Sequence, residues 1–350
     1  MKRLNQLSIL CLFAWSMLSC VDEINLNLPN SNEILVVDAW VGNLTSDTYI
    51  RVYRARPFVS FSPSGSEPQV KLQELVVERK DGTLFPFQLL NETIYSPVRR
   101  FNLMEGEEYR LRFTTLEGKK FESSWEKVPP KVEPLDWNTK AFERQILVRT
   151  GTTSFFQPGT FADINLKIKD PGKGPIGYLI KTSGISEQFT TSERDNCECV
   201  CYLPDPNIFP GMNIRSNEAF EGKEIDLKVG EIPLSSLGRY LAMTEVITLT
   251  EFGQQYLSQV DLQQRNTGSI FDPAPFRIKG NIQSVDSEET VLGGFFLFQK
   301  TATEKLFFRT QIRNESRELN HYFEPLVMVG GTCRTYYTDA LPTIPNSFRP

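Results

Sequence analysis

Cys197, Cys199 and Cys201 alternate in Asn196-Cys197-Glu198-Cys199-Val200-Cys201-Tyr202, and Cys333 follows far downstream. Thiols in this pattern could do three things. In an oxidising compartment an even number pairs into disulfides. Bridging two cysteines only two residues apart closes a very small ring. Pairing Cys197 with Cys201, and Cys199 with Cys333, avoids that ring. As thiolates the four could hold tetrahedral zinc, although zinc sites usually leave two to four residues between ligands. They could also remain free thiols. Disulfides are the expectation, and no metal or other cofactor is expected.

Other constellations point away from catalysis. Gly172-Lys173-Gly174-Pro175-Ile176-Gly177 fits G-x-G-x-x-G, but Tyr178-Leu179-Ile180-Lys181 behind it reads as strand. A dinucleotide site needs a helix amino terminus there to hold pyrophosphate, so these glycines read as hairpin punctuation. The chain has one histidine, His321, and no G-x-S-x-G elbow, which argues against a nucleophile–histidine triad. A two-carboxylate hydrolase has no local spacing rule, and 43 acidic residues single out no pair. An enzyme is therefore not expected. A formal net charge of -5 argues against nucleic acid as a partner.

One further thiol has a different chemistry. Met1-Lys2-Arg3 is followed by an apolar run, Leu7 to Leu18, and then by Ser19-Cys20. These are the parts of a secretory leader, and the run is shorter than the ~20 residues a membrane span needs. The apolar run stops at the cysteine, which marks a lipoprotein leader. Cleavage between Ser19 and Cys20 would leave Cys20 as an acylated first residue, anchored by its chains. Asp22-Glu23 and the rest of 20–32 read as a polar linker.

The remainder must fold around these sites, and 40% hydrophobic with 23% charged residues is the composition of folded protein. Period-two alternation with β-branched and aromatic enrichment predicts strands at Ile34–Val37, Tyr49–Arg54, Val70–Arg79, Glu108–Phe113 and Lys120–Trp125. Asp81-Gly82 and Glu117-Gly118 mark hairpin turns. This pattern predicts an immunoglobulin-like β-sandwich over 33–128. The prolines of 129–134 predict a hinge. From 135 to 350 a larger β-rich domain follows, with strands at Phe161–Lys169, Tyr178–Thr182, Ile225–Val229, Arg239–Leu249, Val291–Gln299 and Leu306–Gln311. It carries one short amphipathic helix, capped by Thr250, with Phe252, Tyr256, Leu257 and Val260 on one face. The fold class is mainly β. Trp40, Trp125 and Trp137 fall at strand ends or at the hinge, where a ring could pack in the core or serve as a platform.

Cys20 with its acidic stretch, Ile34 to Val41, the hairpin from Gly106 to Ser123, Cys201-Tyr202 and the helix containing Tyr256 together resemble a Bacteroidota outer-membrane lipoprotein family of unknown function. The most specific is Gly268-Ser269-Ile270-Phe271-Asp272-Pro273-Ala274-Pro275, then Ile278 to Ile282, then Val291 to Phe296. The likeness covers nearly the whole chain after the leader. The family often ends in a proline-rich, cysteine-bearing tail closing on an aromatic. This chain has Cys333 and Phe348 but finishes Phe348-Arg349-Pro350, so no fixed disulfide plan carries over. Within the specific block, Lys279, Gly280, Asn281, Gly293 and Gly294 form either structural turns or a ligand loop, and turns are the expectation.

Members of the resembled family are commonly encoded beside TonB-dependent receptors. The resemblance implies a lipid-anchored protein of the outer membrane, at the cell surface, serving as a non-enzymatic binding or accessory subunit of nutrient uptake. The expected partners are the membrane, a receptor barrel and a nutrient ligand. The alternative is a structural or adhesive envelope lipoprotein without a transport partner.

Overall fold

Tyr109, Leu111 and Phe113 alternate with Arg110 and Arg112 along a single strand, and that alternation decides which face is buried. The aromatic and aliphatic side chains go into the core, each contributing about 1.5–3 kcal/mol of burial. The arginines stay outside, where Glu78 on the next strand lies 2.9 Å from Arg110 and 3.1 Å from Arg112. The same logic runs through the whole protein, which is mainly β. The computed structural model describes residues 34–55, 69–91, 93–100, 102–192, 197–206, 211–265, 276–317 and 328–349. Ser19, Cys20, His321 and Gly268–Pro275 lie outside the described residues.

The first sandwich uses β1 (Ile34–Gly42), β2 (Tyr49–Ala55), β3 (Leu72–Arg79), β4 (Leu84–Leu89), β5 (Ile94–Pro97), β6 (Glu108–Thr115), β7 (Lys120–Ser123) and β8 (Glu126–Lys127). One layer is β1-β2-β5 and the other is β3-β6-β7. β4 passes between them: Leu84 to Pro86 pair with β3, and Phe87 to Leu89 pair with β5. One hydrophobic cluster fills the space between the layers, with Leu35, Val37, Ile50, Val77, Leu111 and Phe121 among its members.

The chain continues through β9 (Pro134–Thr150), β10 (Thr153–Lys169), β11 (Ile176–Thr191), β12 (Val200–Asp205), β13 (Asn213–Ser216), β14 (Glu224–Pro233), β15 (Arg239–Thr250), β16 (Ile282–Ser284), β17 (Val291–Phe308) and β18 (Val329–Gly330), and all of these except β16 contribute to a second sandwich. Helix α1 (Glu251–Arg265) follows β15, α2 (Arg309–Arg317) follows β17, and α3 is the single turn Cys333–Tyr336. The sheet β14-β10-β9 packs on β11, β15 and the second half of β17 through Ile164, Leu166, Val229, Tyr178, Ala242 and Phe307. Thr250 caps α1 by accepting the Gly253 N–H at 3.1 Å, and Leu257 is buried against the sheet. The two clusters divide in sequence between Val128 and Val132, at the proline segment.

The first sandwich is nevertheless completed from the far end of the chain. β16 pairs with β7, and residues 291–298 of β17 lie parallel to β1. From Phe298 to Phe308 the same strand pairs antiparallel with β15. β17 therefore belongs to both sandwiches.

The disulfide pairing differs from the expected one. Cys197 joins Cys199, and Cys201 joins Cys333. The Cα separations are 5.1 and 5.9 Å, both within bridging range. Cys197 and Cys199 precede β12 in irregular backbone, which lets the short ring close. Cys201 lies within β12 opposite Gln188 and is buried, as is Cys333 on α3. With all four thiols bonded, the zinc and free-thiol alternatives fall away.

Beside the second bridge, Arg239 clamps Glu187, its Nη2 2.6 Å from Oε1 and its Nε 3.0 Å from Oε2. Burial alone would raise the Glu187 carboxyl, but the Arg239 side chain, backbone N–H and charge outweigh it and hold it below its ordinary value. A depressed carboxyl stabilises the fold above its unfolded-state value, and that stability is lost as pH falls through the folded value. Glu187→Gln should therefore flatten the acid side of the stability–pH curve, measured by denaturant unfolding below about pH 5. Peptide mapping under non-reducing conditions should recover Cys201 linked to Cys333. Replacing both with Ser should lower unfolding free energy by about 2–5 kcal/mol, because that bridge closes a loop of 132 residues. The Cys197→Ser/Cys199→Ser pair should cost much less.

Candidate functional site

The register of β11, β15 and β17 fixes which side chains share a face, because directly paired residues project to the same side. Across the three strands the outer face reads Leu179-Ile247-Lys300, then Lys181-Glu245-Ala302, then Ser183-Met243-Glu304, then Ile185-Leu241-Leu306. The apolar ends of this pattern are covered. Ile185, Leu241 and Leu306 pack with Tyr202, Leu341 and Phe348 of the carboxyl-terminal tail. Leu179, Ile247 and Phe298 pack with Leu257 and Tyr256 of α1 and with Trp40.

Between the two covers the polar rows stay open. A groove of about 650 Å³ runs over Lys181, Ser183, Met243, Glu245 and Glu304. A second hollow of about 440 Å³ shares Lys181 and Glu245 and reaches Trp40, Asp47, Tyr49 and Lys300. Both volumes lie in the range of ligand sites, ~300–1,000 Å³.

The electrostatics of this floor are specific. Lys300 Nζ sits 2.7 Å from Asp47 Oδ2 and 2.9 Å from Glu245 Oε1. Burial pulls this ammonium down, but the two carboxylates outweigh it and hold the group above its ordinary value. Ser347 Oγ donates to Glu304 Oε1 at 2.8 Å, tying the tail to the floor. Lys181 is exposed, and among the described residues no carboxylate pairs with it. At the aromatic end the Trp40 ring packs on Phe296 at 4.8 Å and on Phe298 at 5.8 Å. Its Nε1–H donates to Asp38 Oδ1 at 2.8 Å. Burial, with the charge of Asp38 and a hydrogen bond to it, pushes the Tyr49 hydroxyl up to about 12, so it stays protonated at neutral pH. The arrangement offers an unpaired donor, fixed acceptors and ring surface along an open floor. That chemistry suits recognition of an extended polar ligand.

The ligand-loop residues singled out in the sequence have other work. The Asn281 amide receives the Phe295 N–H at 2.9 Å and donates to the Phe295 carbonyl at 3.0 Å, standing in for a neighbouring strand. Its Nδ2 also donates to Glu126 Oε1 at 3.1 Å. Gly293 has φ +86°, and a Cβ there would collide with the Val37 carbonyl. A Cβ on Gly280 would collide with the Gly293 carbonyl, and one on Gly294 would crowd Phe296 and Phe252. Lys279 and Gly280 border a hollow of about 420 Å³. Its Glu289 is taken by Arg54 at 3.1 Å and Lys119 at 2.6 Å. The cysteines pin α3 to β12 rather than lining the groove. Gly172 and Gly174 lie in the turn between β10 and β11, with no helix behind them. Of the tryptophans, Trp125 lies under the Arg110 guanidinium at 4.6 Å, and Trp137 packs edge-on against Phe307.

Sequence reasoning did not single out Lys181, Glu245, Lys300 or Asp47. Three of them interrupt apolar strands, in Tyr178-Leu179-Ile180-Lys181, Glu245-Val246-Ile247 and Phe296-Leu297-Phe298-Gln299-Lys300. A charge on an otherwise buried strand is the local signal that could have found them. The Asn281 amide yields a test: Asn281→Ala leaves a buried N–H and C=O unpaired and should cost about 1–3 kcal/mol in denaturant unfolding. Gly293→Ala should cost at least about 2 kcal/mol through backbone strain and the lost close approach.

Compared with known proteins, residues 21–304 match the family model described as Domain of unknown function (DUF4249). No curated protein and no solved structure gives a significant match. The match spans most of the chain, including the strands of both sandwiches up to Glu304 in β17, and the chain belongs to the DUF4249 family.

Proposed function

We infer that this protein is a lipoprotein of the Bacteroidota outer membrane, anchored at the cell surface through acylated Cys20. It acts as a non-enzymatic binding or accessory subunit of a TonB-dependent nutrient uptake system. The observation that carries the binding role is the open groove between the tail and α1, with Lys181 unpaired by any described carboxylate. Its floor is the outer face of a three-strand sheet whose inner face is packed core, so the recognising side chains are held on rigid elements. The leader ending in Ser19-Cys20 supports the anchor, because two or three acyl chains bury enough methylene for stable attachment.

In cells, Cys20→Ala should move the protein out of the membrane fraction, and intact lipid should be found on the wild-type amino terminus by mass spectrometry. A tagged chain extracted in mild detergent should bring down a β-barrel protein. Recovery of lipidated chain without any barrel would leave the structural or adhesive reading in its place.

A further inference from the structure

β9 and β10 are both 17 residues long, but β14 covers β10 only from Phe161 to Lys169. Beyond that, eight consecutive pairs, from Glu143↔Thr160 to Thr150↔Thr153, form a ribbon with no third strand among the described residues. At ~3.4 Å per residue the ribbon extends ~27 Å. Isolated two-stranded ribbons are marginal in water. This one exposes large apolar side chains at its end. Phe156 is 71% exposed, Leu147 47% and Phe155 45%.

The register places these residues on both sides. Phe156 pairs with Leu147, and Phe155 pairs with Val148. Adjacent pairs point to opposite faces, so the tip is apolar on both. From 144 to 162 there is no acidic residue, although the chain as a whole carries -5. Arg144 is engaged by Glu231 at 2.6 Å and lies over Phe161. Arg149, next to the turn, is exposed and has no carboxylate partner among the described residues.

We propose that the tip of the β9–β10 hairpin inserts into the interfacial layer of a lipid bilayer with anionic headgroups. A tip that is apolar on both faces suits a medium that surrounds it; a protein partner would have to enclose the ribbon. The Arg149 guanidinium reaches headgroup phosphate while the phenyl rings enter the acyl boundary. Insertion is shallow, ~5–10 Å. At that depth water reaches the open ribbon edges, whereas the hydrocarbon core would leave their backbone groups unpaired. The contact needs no acylation at Cys20, but alone it is weak and reversible, so it does not hold the chain in a washed membrane fraction.

The test uses the chain as it stands after the leader, residues 20–350, with Cys20→Ser, so that neither an acyl chain nor the apolar leader contributes. Phe156→Trp in this background adds a reporter to the native Trp40, Trp125 and Trp137. Vesicles of phosphatidylcholine, with and without phosphatidylglycerol, are prepared with brominated acyl chains. The expected result is a blue shift and quenching of the added emission by bromines near the headgroup end, stronger with phosphatidylglycerol. Leu147→Ser/Phe155→Ser should weaken vesicle partitioning roughly tenfold or more. Arg149→Gln should reduce the preference for anionic vesicles about fivefold. These positions are exposed, and retained disulfides on non-reducing peptide maps confirm that the variants fold. An unquenched reporter with partitioning unchanged by the tip substitutions would overturn the proposal. So would a photo-crosslinker at Phe156 that captured a membrane protein in cells while the purified tip ignored vesicles; that outcome would assign the tip to a protein partner.

Discussion

β17 is hydrogen-bonded on different sides along its length, and the rest of the fold depends on how the unpaired sides are satisfied. Val291 to Phe298 have β1 on one side, and Phe298 to Phe308 have β15 on the other. Each half would otherwise leave backbone groups without a strand. Two asparagine amides supply the missing partners. Asn281 bonds both backbone groups of Phe295, and Asn43 does the same for Lys300, at 2.8 and 3.1 Å. A primary amide has the donor and acceptor of a peptide unit, so one side chain can satisfy both backbone groups of one residue. Gly293 and Gly280 then permit the close approach of Val37 and the loop to this strand. The handover at Phe298 joins the cores of two sandwiches through one rigid element.

The groove is a consequence of the same arrangement. Because β17 continues past the first sandwich, it sets Lys300, Ala302 and Glu304 beside β15 and β11. The apolar rows at either end recruit covers, α1 on one side and the tail on the other. The charged rows between them cannot be covered by apolar chain without desolvating Lys181, Glu245 and Glu304. The floor stays open for that reason. The Cys201–Cys333 bridge and the packing of Phe348 on Tyr202, with ring centroids 4.8 Å apart, keep one wall in place.

Much of the local structure is legible in the sequence, as particular elements show. The alternation in Glu108-Tyr109-Arg110-Leu111-Arg112-Phe113 is the alternation of its burial. Thr250 caps the helix where its side-chain chemistry says it should. Gly172-Lys173-Gly174-Pro175 is a strand connection, as the strand-like residues behind it implied. The disulfide connectivity is not legible in the sequence, because ring size alone disfavours Cys197–Cys199, whereas the irregular backbone before β12 sets their Cα atoms 5.1 Å apart. The groove was missed because its residues come from the segment around Asp47 and from β11, β15 and β17, and spacing within any one of them is uninformative. Asn43 and Asn281 look like ordinary turn residues until the strand they serve is in place.

By itself the sequence determined that the chain is mainly β, the place of strands such as β1, β2, β6 and β15, and the start of the short amphipathic helix after Thr250, because these follow from side-chain period and local capping; it did not show β9, and the strand expected over Leu306–Gln311 gives way to helix α2 from Arg309. It also determined the family, through residues spread over most of the chain. Tertiary structure alone decided that β17 is shared, which cysteines meet, and that Lys181, Glu245 and Lys300 form one floor. The reason is physical: pairing across a sheet is set by register between segments more than 50 residues apart, such as Lys300 and Glu245 at a separation of 55. No local pattern encodes that register.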